Sequence, residues 1–148
     1  MNLDVRLIKE IEGLENRHIY SVEKEIQAFI LSKNGKINRV IYYKLYGIEG
    51  IYEKEYFRKV HDLKILPIYF NAIVDGSKTF EVCKNDRNFQ VGDELYLREF
   101  IDGKYTGNYV IKIVTYALED KEYLNNGYII LGLGDKLKES IRSYEKES

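Results

Sequence analysis

At 148 residues the chain is long enough for one ordinary domain or two very small ones, and its 23 Lys and Arg against 24 Asp and Glu leave a formal net charge of -1. No global basic field announces nucleic acid and no acidic tail attracts a basic partner, so any phosphate binding must be local. A single cysteine, Cys83, excludes an internal disulfide and a cysteine-rich zinc site, and His18 and His61 stand too far apart in sequence to suggest a metal pair, so neither metal nor cofactor is expected.

In chain order, the first sixty residues read as strands. "DVRLIKEI", "HIYSV" and "EIQAFILSK" lead to Asn34-Gly35, which predicts a type I′ hairpin turn because both central positions of that turn need positive φ. "INRVIYYKLYG" is then the return strand, Gly47 and Gly50 bracket another turn, and "IYEKEYFRKV" follows as one more strand. Residues 1–60 are thus expected to form a small antiparallel β module, an SH3-like barrel. From His61 the texture changes. "HDLKI" is a short strand, Pro67 suits the first turn of a helix, Leu66, Tyr69, Phe70, Ile73 and Val74 follow at helical spacing, and Gly76 stands where a left-handed cap belongs. Strands "TFEVC", "ELYLREF", "NYVIKIVTYAL" and "GYIILGL" come next, separated by turns at Gly92-Asp93, Asp102-Gly103, Gly107 and Asn126-Gly127. A last helix is expected from Asp135 through Leu137, Ile141 and Tyr144. The fold class is therefore mainly β with few helices (α+β), divided into residues 1–60 and 61–148.

No run approaches the roughly eighteen apolar residues of a membrane helix. The start "MNLDVRLIKEIEG" carries acids where a targeting peptide would be basic and then apolar, so the expectation is a cytoplasmic protein without membrane contact. Tyrosine, at 14 residues with no tryptophan, suits strand faces, and equally suits platforms on which bases stack.

The stretch "GSKTFEVCKNDRNFQVGD", residues 76–93, concentrates the polar chemistry. Alternation along a strand over 79–84 sends Phe80 and Val82 toward the core and Thr79, Glu81 and Cys83 toward a polar face that begins beside Lys78. With the preceding helix as a wall, these side chains floor a cleft rimmed by Lys84, Asn85, Asp86 and Arg87. The plainer reading is a solvated Lys–Glu pair worth no more than about 1 kcal/mol and an exposed "KNDR" turn. Lys78 and Lys84 would favour a Cys83 thiolate, but without a histidine close in sequence the thiol reads as inert. His18 and His61 read as surface or strand-end residues.

The order helix, Gly-x-Lys-Thr, strand, charged turn, Gly-Asp, long strand resembles the ASCH superfamily, whose fold is the PUA-like β-barrel. "GxKTFE…KNDRxFxVGD", together with "YTG" and "GYIILGL", is similar to a small ASCH-like branch of unknown function common in phages and Gram-positive bacteria, over about residues 61–133. The resemblance implies a domain that binds RNA or a nucleotide between helix and barrel, through Lys78, Thr79, Glu81, Cys83, Lys84, Asn85 and Arg87. The family pattern has an arginine where this chain has Cys83, and a thiol does not replace a guanidinium's bidentate fork.

Some ASCH proteins hydrolyse the acetyl amide of N4-acetylcytidine with a lysine, a threonine three residues on and a later glutamate. Lys78 matches the first, Glu81 stands in the threonine's place, and Glu99 or Glu119 would have to supply the acid. An ammonium held by a neighbouring carboxylate suits binding an anion better than attack on a carbonyl. Three functions follow, in this order: RNA or nucleotide binding with Tyr69, Tyr96 or Tyr105 available to stack; an amidohydrolase on an acylated nucleobase; and a phage or mobile-element interaction factor that docks a protein partner through residues 1–60 and edge strands such as "YEKEYF".

Overall fold

The structure is a computed structural model that describes residues 3–135; the expected helix through Leu137, Ile141 and Tyr144 lies outside them. The chain is mostly strand with one short α-helix, and it divides into two compact units, Met1–Val60 and His61–Ser148. Among the described residues no helix is long and apolar enough to cross a membrane.

The first unit comprises β1 (Leu3–Leu7), β2 (Ile19–Leu31), β3 (Ile37–Leu45), β4 (Tyr52–Glu53) and the start of β5 (Phe57–Ile65), in the order β4-β3-β2-β1-β5. Its core is wholly apolar apart from the Tyr43 hydroxyl: Val5, Leu7, Val22, Leu45 and Phe57 close around Tyr43, whose ring meets Phe57 edge-on at 5.8 Å. β2 and β3 pair as expected, from Ile26 opposite Tyr42 to Leu31 opposite Ile37.

Their turn differs from the expected type. Gly35 alone takes a positive φ, +84°, while Gly35 N–H donates to Ser32 C=O and Ser32 N–H to Lys36 C=O. This is a three-residue loop, a type I turn closed by a left-handed glycine. The Asn34 side chain takes the slack, accepting from Ser32 Oγ and from Lys36 N–H.

"IYEKEYFRKV" is also not one strand. β4 pairs with β3 only at Tyr42–Glu53 and Tyr43–Tyr52, after which a 3₁₀ turn over Lys54–Tyr56 intervenes. That turn brings Phe57 into register with Leu7 in the core, and nothing in "KEY" carries a Gly or Pro to announce it.

The second unit comprises the rest of β5, α1 (Pro67–Val74), β6 (Phe80–Lys84), β7 (Glu94–Ile101), β8 (Lys104–Leu118) and β9 (Tyr128–Gly134), in the order β5-β7-β8-β9-β6. α1 starts where Leu66, extended at ψ 148°, precedes Pro67, and it ends at Gly76, whose N–H reaches Ile73 C=O while Lys78 N–H reaches Ala72 C=O. Of the predicted apolar stripe only Phe70 and Ile73 are buried; a helix this short has one turn's face to offer the core. They join Ile65, Phe89, Leu95, Leu97, Val114, Ile129 and Leu131. A type I′ turn is found at Asp102-Gly103, with φ of 53° and 76°, joining β7 to β8. Gly107, expected between strands, instead sits within β8 at φ +95°. There the register slips, so that residues 106–108 oppose Glu99 alone and bulge around it.

The faces of β6 are the reverse of those expected. Phe80 and Val82 are 43% and 51% exposed, whereas Glu81 is 7% exposed and Cys83 packs against the core. Register decides this. β6 pairs with β9 so that Glu81 lies opposite Leu131 and Cys83 opposite Ile129, both core residues, and cross-strand partners share a face.

Candidate functional site

The residues of the 76–93 stretch are brought together in part. Lys78 Nζ donates to Glu81 Oε1, a largely buried ion pair, and the ammonium lies 5.3 Å from the Tyr69 ring centre and 5.2 Å from that of Phe80. The pair can form because the tight cap of α1 fixes Lys78 three residues before Glu81, while register turns Glu81 inward. Tyr69 and Phe80, both more than two-fifths exposed, leave one aromatic flank each to solvent.

The other predicted residues point elsewhere. Thr79 and Lys84 are exposed, and Thr79 C=O accepts from Leu133 N–H. Asn85 Nδ2 donates to Glu119 at 2.9 Å, and Arg87 Nη1 to the Asp62 carbonyl at 2.7 Å. Asp86 lies 3.8 Å from Arg87 on the same turn. Cys83 is held as a neutral thiol: burial first, then the neighbouring Glu81 carboxylate, pushes it up to about 11. Of the two acids weighed for amide hydrolysis, Glu119 is taken by Asn85, and Glu99, buried in the β8 bulge, accepts from Thr106 Oγ1 at 2.7 Å and Asn108 Nδ2 at 3.1 Å. Glu81 is the carboxylate that meets Lys78.

His61 is not a surface residue. It is 7% exposed, its Nε2 is 2.7 Å from Asp93 Oδ2, and its ring lies 4.5 Å from that of Phe89. The same Asp93 oxygen accepts from Gln90 N–H at 3.0 Å, and Asp93 C=O accepts from Val114 N–H. The Gly-Asp turn is thereby clamped to β5 and β8 at once. His18, by contrast, is an exposed residue beside Glu15, as read from the sequence.

A second constellation lies on the face of this sheet that the alternation of β7 turns away from the core. Leu95 and Leu97 point inward, so Tyr96, Arg98 and Phe100 point outward. Arg98 donates to Asp62 Oδ2 at 3.0 Å, and its guanidinium carbon sits 3.7 Å from the Tyr105 ring centre and 5.5 Å from that of Tyr96. Tyr96 and Tyr109 meet edge-on at 5.0 Å, as do Phe100 and Tyr105. Lys64 Nζ lies 4.7 Å over Phe100 and 5.9 Å over Tyr105. Asp62 joins this face to the charged turn, because its carbonyl holds Arg87 and its carboxylate holds Arg98. Tyr96 and Tyr105 were singled out from sequence; Arg98, Lys64 and Asp62 were not. The signal lay in the period-two run "YLREF" opposite "YTGNY", which the long β8 strand makes into neighbours.

Among the described residues no group of three or more His, Cys, Asp or Glu side chains could hold a metal ion. The family model described as "Domain of unknown function (DUF3850)" matches residues 60–133, half of the 148-residue chain. The chain belongs to this family. The match covers the second unit's described strands, the 76–93 stretch and the Arg98 face, up to β9. One similar relative is a protein of Escherichia phage P2, described as "Uncharacterized 12.9 kDa protein in GpA 3'region", 34% identical over 73 residues. That alignment takes in 49% of this chain, and the chain spans 66% of the relative's length, just under two thirds.

Proposed function

We propose that the DUF3850 unit binds single-stranded RNA or a nucleotide. The observation that carries this reading is the Arg98 guanidinium stacked 3.7 Å over Tyr105, on a face that also presents Tyr96, Phe100 and Tyr109 with Lys64 among them. Unstacked bases gain about 1–3 kcal/mol each on such aromatic surfaces, and a planar guanidinium stacks as well as a ring does while facing phosphate. Lys78 between Tyr69 and Phe80 is the second candidate contact, with its charge offset by Glu81. The reading carries with it the ASCH kinship and PUA-like barrel implied by the motif.

Two cations, one of them held by Asp62, support weak binding with a shallow dependence on salt. Fluorescence anisotropy with a labelled RNA decamer and with free nucleotides tests this. Arg98→Ala combined with Tyr105→Ala is expected to weaken binding at least tenfold, and Lys78→Ala to weaken it less. Affinity unchanged in both variants ends the proposal. Incubation with N4-acetylcytidine tests the amidohydrolase alternative in the same preparation. With Lys78 held by Glu81, and Glu99 and Glu119 engaged by other partners, no cytidine is expected to form.

A further inference from the structure

The first unit carries an unusual segment that the Arg98 face does not involve. From Ile26 to Ile48 the chain contains no Asp or Glu, yet it has Lys33, Lys36, Arg39 and Lys44. In a protein of net charge -1 this is a local excess of positive charge, and the fold concentrates it on one two-stranded ribbon, the distal part of β2 and β3. Lys44, at the base, is consumed: it donates to the Leu45 and Ile48 carbonyls and lies 4.0 Å from Glu23. Lys33, Lys36 and Arg39 make no ion pair among the described residues.

The ribbon stands clear of its sheet. β1 pairs with β2 only from Ile19 to Val22, and β4 pairs with β3 only at Tyr42 and Tyr43, so both edges of the stretch Gln27–Leu31 with Ile37–Ile41 are uncovered among the described pairings. Cross-strand register places Gln27, Phe29, Leu31, Ile37, Arg39 and Ile41 on one face. Phe29, Leu31 and Ile37 there are 68%, 70% and 70% exposed, far more than a monomer's ribbon needs to show water.

We propose that this ribbon is a docking arm for duplex nucleic acid, with DNA as its occupant. The major groove is about 12 Å wide and admits a two-stranded ribbon, and the unpaired edges of this one leave it no wider than two strands. Lys33 and Lys36 lead at the turn and Arg39 follows on the exposed face, where they meet phosphates. Gln27, on that same face, is an amide able to read base edges, and Phe29, Leu31 and Ile37 supply apolar contact to thymine methyls. An anionic membrane suits the order of residues less well: the outermost segment, Ser32–Lys36, would carry two ammonium groups into the interface ahead of Leu31 and Ile37. Self-pairing through the β3 edge would place Arg39 near its own copy. Near the base Arg39 lines a groove with Glu53, Lys54 and Glu55, so the excess of positive charge is greatest at Lys33 and Lys36 in the turn half of the arm.

The test uses the full chain and a labelled 20-base-pair DNA duplex of mixed sequence, with anisotropy read from 50 to 200 mM salt. Three phosphate contacts give a slope of log affinity on log salt of about -2.7, a roughly 40-fold loss over that range. Lys33→Gln, Lys36→Gln and Arg39→Gln together are expected to lower affinity at least tenfold at 50 mM and to flatten the slope toward zero. Lys33→Arg with Lys36→Arg keeps both, and Phe29→Ser with Leu31→Ser lowers affinity without changing the slope. Arg98→Ala with Tyr105→Ala leaves duplex binding intact, which separates failure of the arm from failure of the RNA site. The arm assignment is overturned by an unretained duplex at 100 µM protein, by an unchanged slope in the triple glutamine variant, or by tighter binding to phosphatidylserine vesicles than to the duplex.

Discussion

The two units bury different chemistry. The first closes a small core of aliphatic and aromatic side chains and extends an exposed β2–β3 ribbon, while the buried carboxylates and the buried imidazole among the described residues, Glu81, Asp93, Glu94, Glu99 and His61, belong to the second. A buried carboxylate is costly unless it is hydrogen-bonded, and Glu81, Asp93 and Glu99 are each engaged through one oxygen, by Lys78, by His61 with the Gln90 N–H, and by Thr106 with Asn108. The unit that matches DUF3850 is thus wired by specific polar pairs, which makes its motif residues serve the fold first. The ribbon of the other unit is the reverse case, with side chains in place and little of the fold depending on them.

This contrast can be broken at several points. Leu97→Ala in the second core is expected to cost about 2–5 kcal/mol of unfolding free energy, read from urea titration, because the cavity sits among fully buried neighbours. Asp93→Asn leaves the buried His61 and the Gln90 N–H with a poorer partner and is expected to cost about 1–3 kcal/mol. If His61→Phe alone costs as much and the double variant no more, the pair acts as one unit; additive losses would show that the clamp is not the pair.

Cys83 gives a pH test. Its folded pKa, about 11, is raised above the ordinary thiol value, so its contribution is fully present below that ordinary value and is lost as pH climbs through the window from 9 to 11. Stability of the wild type should fall across that window and Cys83→Ala should fall less. The native thiol should also resist iodoacetamide at pH 8. Smallest of all, Leu31→Ser in the ribbon is expected to shift unfolding by no more than about 0.5 kcal/mol, since the side chain is already 70% exposed. A loss comparable to that of Leu97→Ala would mean that the ribbon is held by packing and is not a free arm.

The helix was legible because Pro67 and Gly76 punctuate it, and the β2–β3 hairpin because Asn34-Gly35 has no other easy reading, although the turn type went to Asp102-Gly103 instead. The 3₁₀ turn over Lys54–Tyr56 left no such mark. Within the 76–93 stretch the Lys78–Glu81 pairing could be read from spacing, whereas the partners of Asn85, Arg87 and Asp93 lie 34, 25 and 32 residues away in sequence. No local pattern encodes those distances.

Local sequence thus determined a β-rich chain, the position of its helix, the ribbon and its acid-free charge, because periodicity, Pro and Gly geometry and formal charge act within a few residues. Tertiary pairing alone decided which face of β6 looks inward, that His61 meets Asp93, and that Arg98 stacks on Tyr105. A strand's alternation gives two faces but not their assignment; only the partner strand's register says which one the core receives.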